Sequence, residues 1–130
     1  MEVLELVEHL ESIGYLMVME GDQLRIKRGK HLPPHLKEKI RQNKFLIIDM
    51  LERDEAARKS GFLTGIRGRL YFRSISKQRT VYIERIDDMW EAWRETYQLG
   101  RKEAVSLKII CKDESFYYVL QKVNDYIKYI

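Results

Sequence analysis

The side chains able to do covalent or metal chemistry are few and poorly placed for it. His9, His31 and His35 are the only histidines. His31 and His35 bracket Pro33-Pro34, so they cannot share a regular helix face as metal-binding pairs do, and they read as exposed loop residues. Cys111 is the lone cysteine. It lies in an apolar run with no activating neighbour and reads as a small buried hydrophobe. Glu84, Asp87 and Asp88 cluster at a predicted strand-to-helix corner. They could hold a cation, but helix capping and dipole compensation account for them. The chain has no G-x-S-x-G elbow and no Gly-rich phosphate loop, since Gly65 and Gly68 lack the rest of such a motif. The expectation is a protein that is not an enzyme, with no catalytic residues, no bound metal and no cofactor.

Two basic sets carry the remaining chemistry. Residues 23–28 hold Arg25, Lys27 and Arg28 beside Leu24 and Ile26. On a strand edge, such cations favour an acidic peptide, or they guard a bare edge against aggregation. The second set is Arg67, Arg69, Arg73, Lys77, Arg79 and Arg85, interleaved with Tyr71, Phe72 and Tyr82. Cations and aromatics on one sheet bind single-stranded nucleic acid through phosphate charge and base stacking. Alternation puts Tyr71, Arg73 and Ile75 on one face, Leu70 and Phe72 on the other.

These residues need elements to position them. Residues 3–13 read as a helix, with Val3, Leu4, Leu6, Val7, Leu10 and Ile13 at helical spacing and Gly14 as its stop. Residues 15–20 and 23–28 read as a hairpin around Gly21-Asp22, with Leu16, Val18, Leu24 and Ile26 on one face. Pro33-Pro34 starts a helical pattern through Leu51, with a break near Asn43. Residues 59–68 hold three glycines and read as a linker. Strands are predicted at 69–75 and 80–85, a helix capped by Asp87 through Leu99, a strand at 104–111, and a final helix at 114–129. Trp90 and Trp93, with Met89 and Tyr97, would form one side of the helix through Leu99, as a core or dimer face. Tyr117, Tyr118, Tyr126 and Tyr129 crowd the last helix and suggest a homodimer. The expected class is α+β: an αββαα module over residues 1–58, a linker over 59–68, and a ββαβα unit over 69–130.

Composition bounds the context. Hydrophobic residues make up 45% and charged residues 34% of 130 positions, enough for a core and too apolar for a disordered chain. Net charge is +4, which permits nucleic acid or an acidic peptide as partner and demands neither. No apolar run approaches the ~20 residues of a membrane span, so no membrane partner is expected. The acidic, amphipathic start is unlike a secretory signal, and one cysteine excludes an internal disulfide, which points to the cytoplasm.

Residues 4–51 resemble the TubC-type N-terminal docking domains, the β-hairpin docking family of modular peptide synthetases. The matching residues are Leu6, Leu10 and Gly14, then Glu20-Gly21-Asp22-Gln23-Leu24-Arg25, then Leu32-Pro33, Leu36, Ile40, Lys44, Ile47-Ile48 and Leu51. The resemblance implies an αββαα fold whose exposed hairpin strand accepts a linear motif of a partner chain. Residues 59–130 carry no condensation-type motif, which departs from the synthetase arrangement and suggests that the module has been reused, as in a protein of a phage, plasmid or other mobile element.

The leading expectation is a protein–protein adaptor that docks an acidic linear segment by strand addition. Tyr15, Met17, Leu24, Arg25, Ile26, Lys27 and Arg28 are its candidate contacts. The alternative is a nucleic-acid-binding accessory protein of a mobile element, using Arg69, Tyr71, Arg73, Lys77 and Arg79. A third reading is an inhibitor of a host enzyme.

Overall fold

Helix α1 (Val3–Ser12) forms because Leu6, Val7 and Leu10 fall on one stripe and are buried together. The chain then turns into a two-stranded antiparallel hairpin, β1 (Leu16–Glu20) and β2 (Gln23–Lys27). Gly21, at φ 65°, takes the first central position of the two-residue turn, where a Cβ would be strained. A 3₁₀ turn (Gly29–His31) leads to α2 (Pro34–Gln42) and α3 (Lys44–Lys59). Asn43 breaks the two helices apart, its side-chain amide donating to the Lys39 carbonyl at 2.8 Å. This computed structural model describes residues 2–130.

The chain divides between Glu52 and Arg53 into two units with separate cores. In the first, α1, Met17, Leu32, α2 and the start of α3 bury one cluster. The element order αββαα is as expected, but the hairpin face is not. Register pairs Met17 with Ile26 and Met19 with Leu24, and these pack on the core. Leu16 pairs with Lys27 and Val18 with Arg25 on the outer side. Residues 15–19 are apolar at every position, so alternation alone could not choose the side. A slip of one residue reverses every side chain.

The second unit is an antiparallel meander in sequence order: β3 (Leu63–Ile66), β4 (Leu70–Ser74), β5 (Arg79–Ile86), β6 (Met89–Tyr97) and β7 (Ala104–Asp113). Helix α4 (Phe116–Lys128) packs on β6 and β7 and buries Phe116, Val119, Leu120 and Val123 against Tyr71, Val81, Ile83, Trp90 and Ala92. The α+β class holds, and the expected ββαβα order over residues 69–130 is corrected to four strands and one helix, ββββα, preceded in the same unit by the end of α3 and β3.

Three local expectations are corrected. Residues 59–68 are not a linker: they hold the end of α3, a turn and strand β3. Gly61, at φ 84°, closes α3 with Gly61 N–H on the Arg58 carbonyl and Phe62 N–H on the Ala57 carbonyl, both at 2.9 Å. Residues 87–99 are not a helix. Asp87, at φ 58°, and Asp88 make the turn between Ile86 and Met89, which pair across the ladder. Aspartate tolerates that left-handed conformation, and the same residue type that caps helices here makes a hairpin. Trp90 therefore faces α4 while Met89, Trp93 and Tyr97 face away. Finally, Val105, Leu107, Ile109 and Cys111 do not share one face. A bulge sets Ile109 opposite Trp93 and Cys111 opposite Ala92, leaving Ile110 as the extra residue.

Candidate functional site

The hairpin is a sheet of two strands, separate from the five-stranded sheet, and no strand pairs with the far edge of β2 among the described residues. An edge of this kind presents backbone donors and acceptors that an extended chain can satisfy. Helix α1 packs on the β1 side.

Between the hairpin and the segment that follows β2 lies a concave groove of about 680 Å³. Its apolar lining is Val18 and Ile26. Its cations are Arg25, Lys27, Arg28 and Lys30, joined by His31, and Glu20 is the single carboxylate of the lining. Arg25 meets Glu20 at 2.6 Å, with both side chains about two-thirds exposed (65% and 63%). An ion pair so exposed contributes little and can be exchanged for an incoming carboxylate. The groove is therefore positive by a wide margin and holds enough apolar surface to seat side chains between its charges.

The end of β2 shapes one wall. Arg28 sits at φ 66°, a left-handed conformation disfavoured for a residue with a Cβ. That kink ends the strand and turns the chain into the 3₁₀ segment that carries Lys30 and His31. The Tyr15 hydroxyl donates to the His31 carbonyl at 2.7 Å and ties the start of β1 to this wall. A smaller hollow of about 160 Å³ adjoins through Arg28 and His31 and is lined by Ile13, Gly14 and Tyr15.

The residues expected from sequence divide accordingly. Arg25, Ile26, Lys27 and Arg28 line the groove together. Tyr15 positions the wall. Met17, 2% exposed, belongs to the core and is withdrawn as a contact. Leu24 packs inward as well. Val18, Glu20, Lys30 and His31 were missed as groove residues. Lys30 and His31 were legible as polar residues, but the 3₁₀ turn that places them on the groove was not.

The alternative nucleic-acid set is not assembled. Tyr71 is fully buried, its ring 5.5 Å from Phe116 and its hydroxyl donating to Asp54 Oδ1 at 2.5 Å. Burial and that carboxylate push its phenol well above the ordinary range. A buried ring cannot stack on a base. Arg73 is half-buried and donates to the Ser60 carbonyl at 2.8 Å. Arg69 lies at one end of the β4–β5 ladder, Lys77 and Arg79 at the other.

The opposite face of the sheet does carry an aromatic row. Tyr82 stacks on Trp93 at 5.3 Å and stands 6.3 Å from Phe72. Its neighbours on that face are Glu84, Glu91 and Glu95 by register. Lys112 reaches Glu91 at 3.8 Å. Carboxylates around stacked rings repel phosphate rather than attract it.

The half-buried Cys111 thiol is pushed up by burial and by the Asp113 carboxylate, which weakens it as a nucleophile. Among the described residues, no group of three or more His, Cys, Asp or Glu side chains is placed to hold a metal ion, and no helix is long and apolar enough to cross a membrane. No protein-family model, no curated protein and no solved structure matches the chain.

Proposed function

We propose that this protein is a non-catalytic adaptor that docks an extended acidic segment of a partner protein along β2. One observation carries the reading: β2, whose far side pairs with no strand among the described residues, lines a groove that has four cations and one carboxylate. The backbone edge supplies affinity that is blind to sequence, and the cations supply the choice of partner. The resemblance of residues 4–51 to TubC-type docking domains points the same way.

The test uses a fluorescent peptide in which glutamate alternates with valine, read by anisotropy. Arg25→Glu combined with Lys27→Glu is expected to weaken binding by about tenfold or more, since a carboxylate now faces a carboxylate. Raising salt from about 50 to 200 mM is expected to weaken the wild-type complex, because these charges are exposed. A peptide N-methylated at every residue is expected not to bind, because no N–H is left to complete the ladder. Unchanged affinity in the charge-reversed protein, or full affinity of the N-methylated peptide, overturns the reading.

A further inference from the structure

A second edge, at the other end of the molecule's sequence, has a different character. Strand β7 is ten residues long and closes one side of the meander. No strand pairs with its outer side among the described residues, and Ala104–Ile109 are exposed throughout. Val105 is 45%, Leu107 56% and Ile109 45% exposed. The opposite edge, β3, is four residues long and interrupted by a bulge at Gly65. Short edges discourage pairing, whereas a longer apolar edge invites it, and β7 keeps the unbroken stretch Ser106–Ile109 between its own two bulges. Lys108 is the one charged residue between Ala104 and Cys111.

We infer that β7 is a homodimer interface, pairing antiparallel with β7 of a second copy about a two-fold axis at Leu107. The inference stands apart from the hairpin reading and survives its failure. What selects a second copy as occupant is the strand's match to itself. Centred on Leu107, the pairing sets Leu107 against Leu107, Val105 against Ile109, and Ser106 against Lys108. Apolar side chains then meet apolar ones, and each ammonium group meets a hydroxyl. Centring on Lys108 would set two ammonium groups directly opposite, which is destabilising. Centring on Ser106 would set Ile109 against Glu103.

The surroundings agree with this register. Bulges at Val105 and Ile110 bracket a regular segment, Ser106–Ile109, whose ladder to β6 is unbroken. On the face away from α4, Ile109 lies beside Trp93, the end of the row Phe72–Tyr82–Trp93. A partner Val105 would extend that row across the two-fold axis. On the helix face, Lys108 lies 5.6 Å from the Tyr126 ring of α4. Tyr118, one turn before Lys122 on the same helix, is 45% exposed. A two-fold axis at β7 brings α4 and its copy toward each other on one side of a ten-stranded sheet.

Light scattering of the full chain across a concentration series tests the pairing. The expected mass is twice 15.7 kDa at high concentration, and Leu107→Lys is expected to return it to that of one chain with the far-UV spectrum unchanged. Register is read by cross-linking in a Cys111→Ser background. Leu107→Cys is expected to form a disulfide-linked dimer in air, because only residue 107 faces itself. A monomer at every concentration, a dimer indifferent to Leu107→Lys, or cross-linking by Lys108→Cys in place of Leu107→Cys overturns the inference.

Discussion

Two of the open strand edges, β2 and β7, differ in what they display. Beyond β2 lie Arg25, Lys27, Arg28 and Lys30 around a groove, and along β7 lie Val105, Leu107 and Ile109 with one lysine among them. Backbone groups on a strand edge are the same wherever they occur, so side chains alone decide who may pair. A charged edge rejects its own copy, since two such edges would set cation against cation, and it accepts a chain of opposite sign. An apolar edge with a self-matching pattern accepts its own copy. One molecule can therefore keep both of these edges open without confusing their partners.

That contrast rests first on independent cores. Leu10 is fully buried in the first unit, whose core shares no residue with the second. Leu10→Ala is expected to cost about 2 to 5 kcal/mol. Hydrogen exchange should show protection lost across residues 3–51 and kept in β4 to β6. Loss of protection in both units together would break the comparison.

Asp54 tests how the sheet that ends in β7 is held to α3. Its carboxylate accepts from the Tyr71 hydroxyl at 2.5 Å and from the Gly68 N–H at 2.7 Å, joining α3 to the sheet. Asp54→Ala leaves both donors short of a partner and should cost about 1 to 3 kcal/mol by denaturant titration. Burial, working against the Tyr71 and Gly68 hydrogen bonds, raises the Asp54 carboxyl above its ordinary value. The folded state thus holds this proton more tightly than the unfolded chain. The resulting stability is present at acid pH and is lost as pH rises from about 4 through the folded value. Asp54→Asn should remove that decline, seen as a flatter plot of melting temperature against pH.

Exchange of charge between the edges sharpens the contrast further. Arg25→Glu with Lys27→Glu should lower affinity for the acidic peptide by about tenfold, equal to ~1.4 kcal/mol, and leave the mass by light scattering unchanged. Leu107→Lys should do the reverse. Either variant changing both readouts would mean that the edges are not separate sites. The smallest effect is expected at Ser115, whose hydroxyl accepts from the Tyr118 N–H at 3.3 Å and caps α4 beside β7. Ser115→Ala should cost about 1 kcal/mol, measured as a shift in the thermal midpoint of the second unit alone.

Much of the first unit was legible in the residues. The stripe of α1, the glycine turn of the hairpin, the Pro34 helix start and the break at Asn43 are local signals, and each stands where expected. The cations of β2 were legible for the same reason. The side of the hairpin that faces the core was not, because residues 15–19 are apolar without a gap. In the second unit, the spacing of Trp90 and Trp93 fits a helical turn, yet the alternation Trp90, Ala92, Arg94, Thr96 fits a strand equally well. Pairing with β5 and β7 decides for the strand. Arg94, which then points at α4, donates to the Tyr126 hydroxyl at 2.8 Å.

By itself the sequence determined the mixed class, most element boundaries in the first unit and the sign of the charge along β2. Tertiary structure alone decided that Met17 and Tyr71 are interior, that residues 89–97 are a strand, and that Lys30 and His31 join Arg25 and Lys27 around one groove. The physical reason is one of range. Turn chemistry, capping and charge act between neighbours in the chain, whereas burial is settled by which distant surface a face meets, and a face apolar on both sides leaves that choice to the fold.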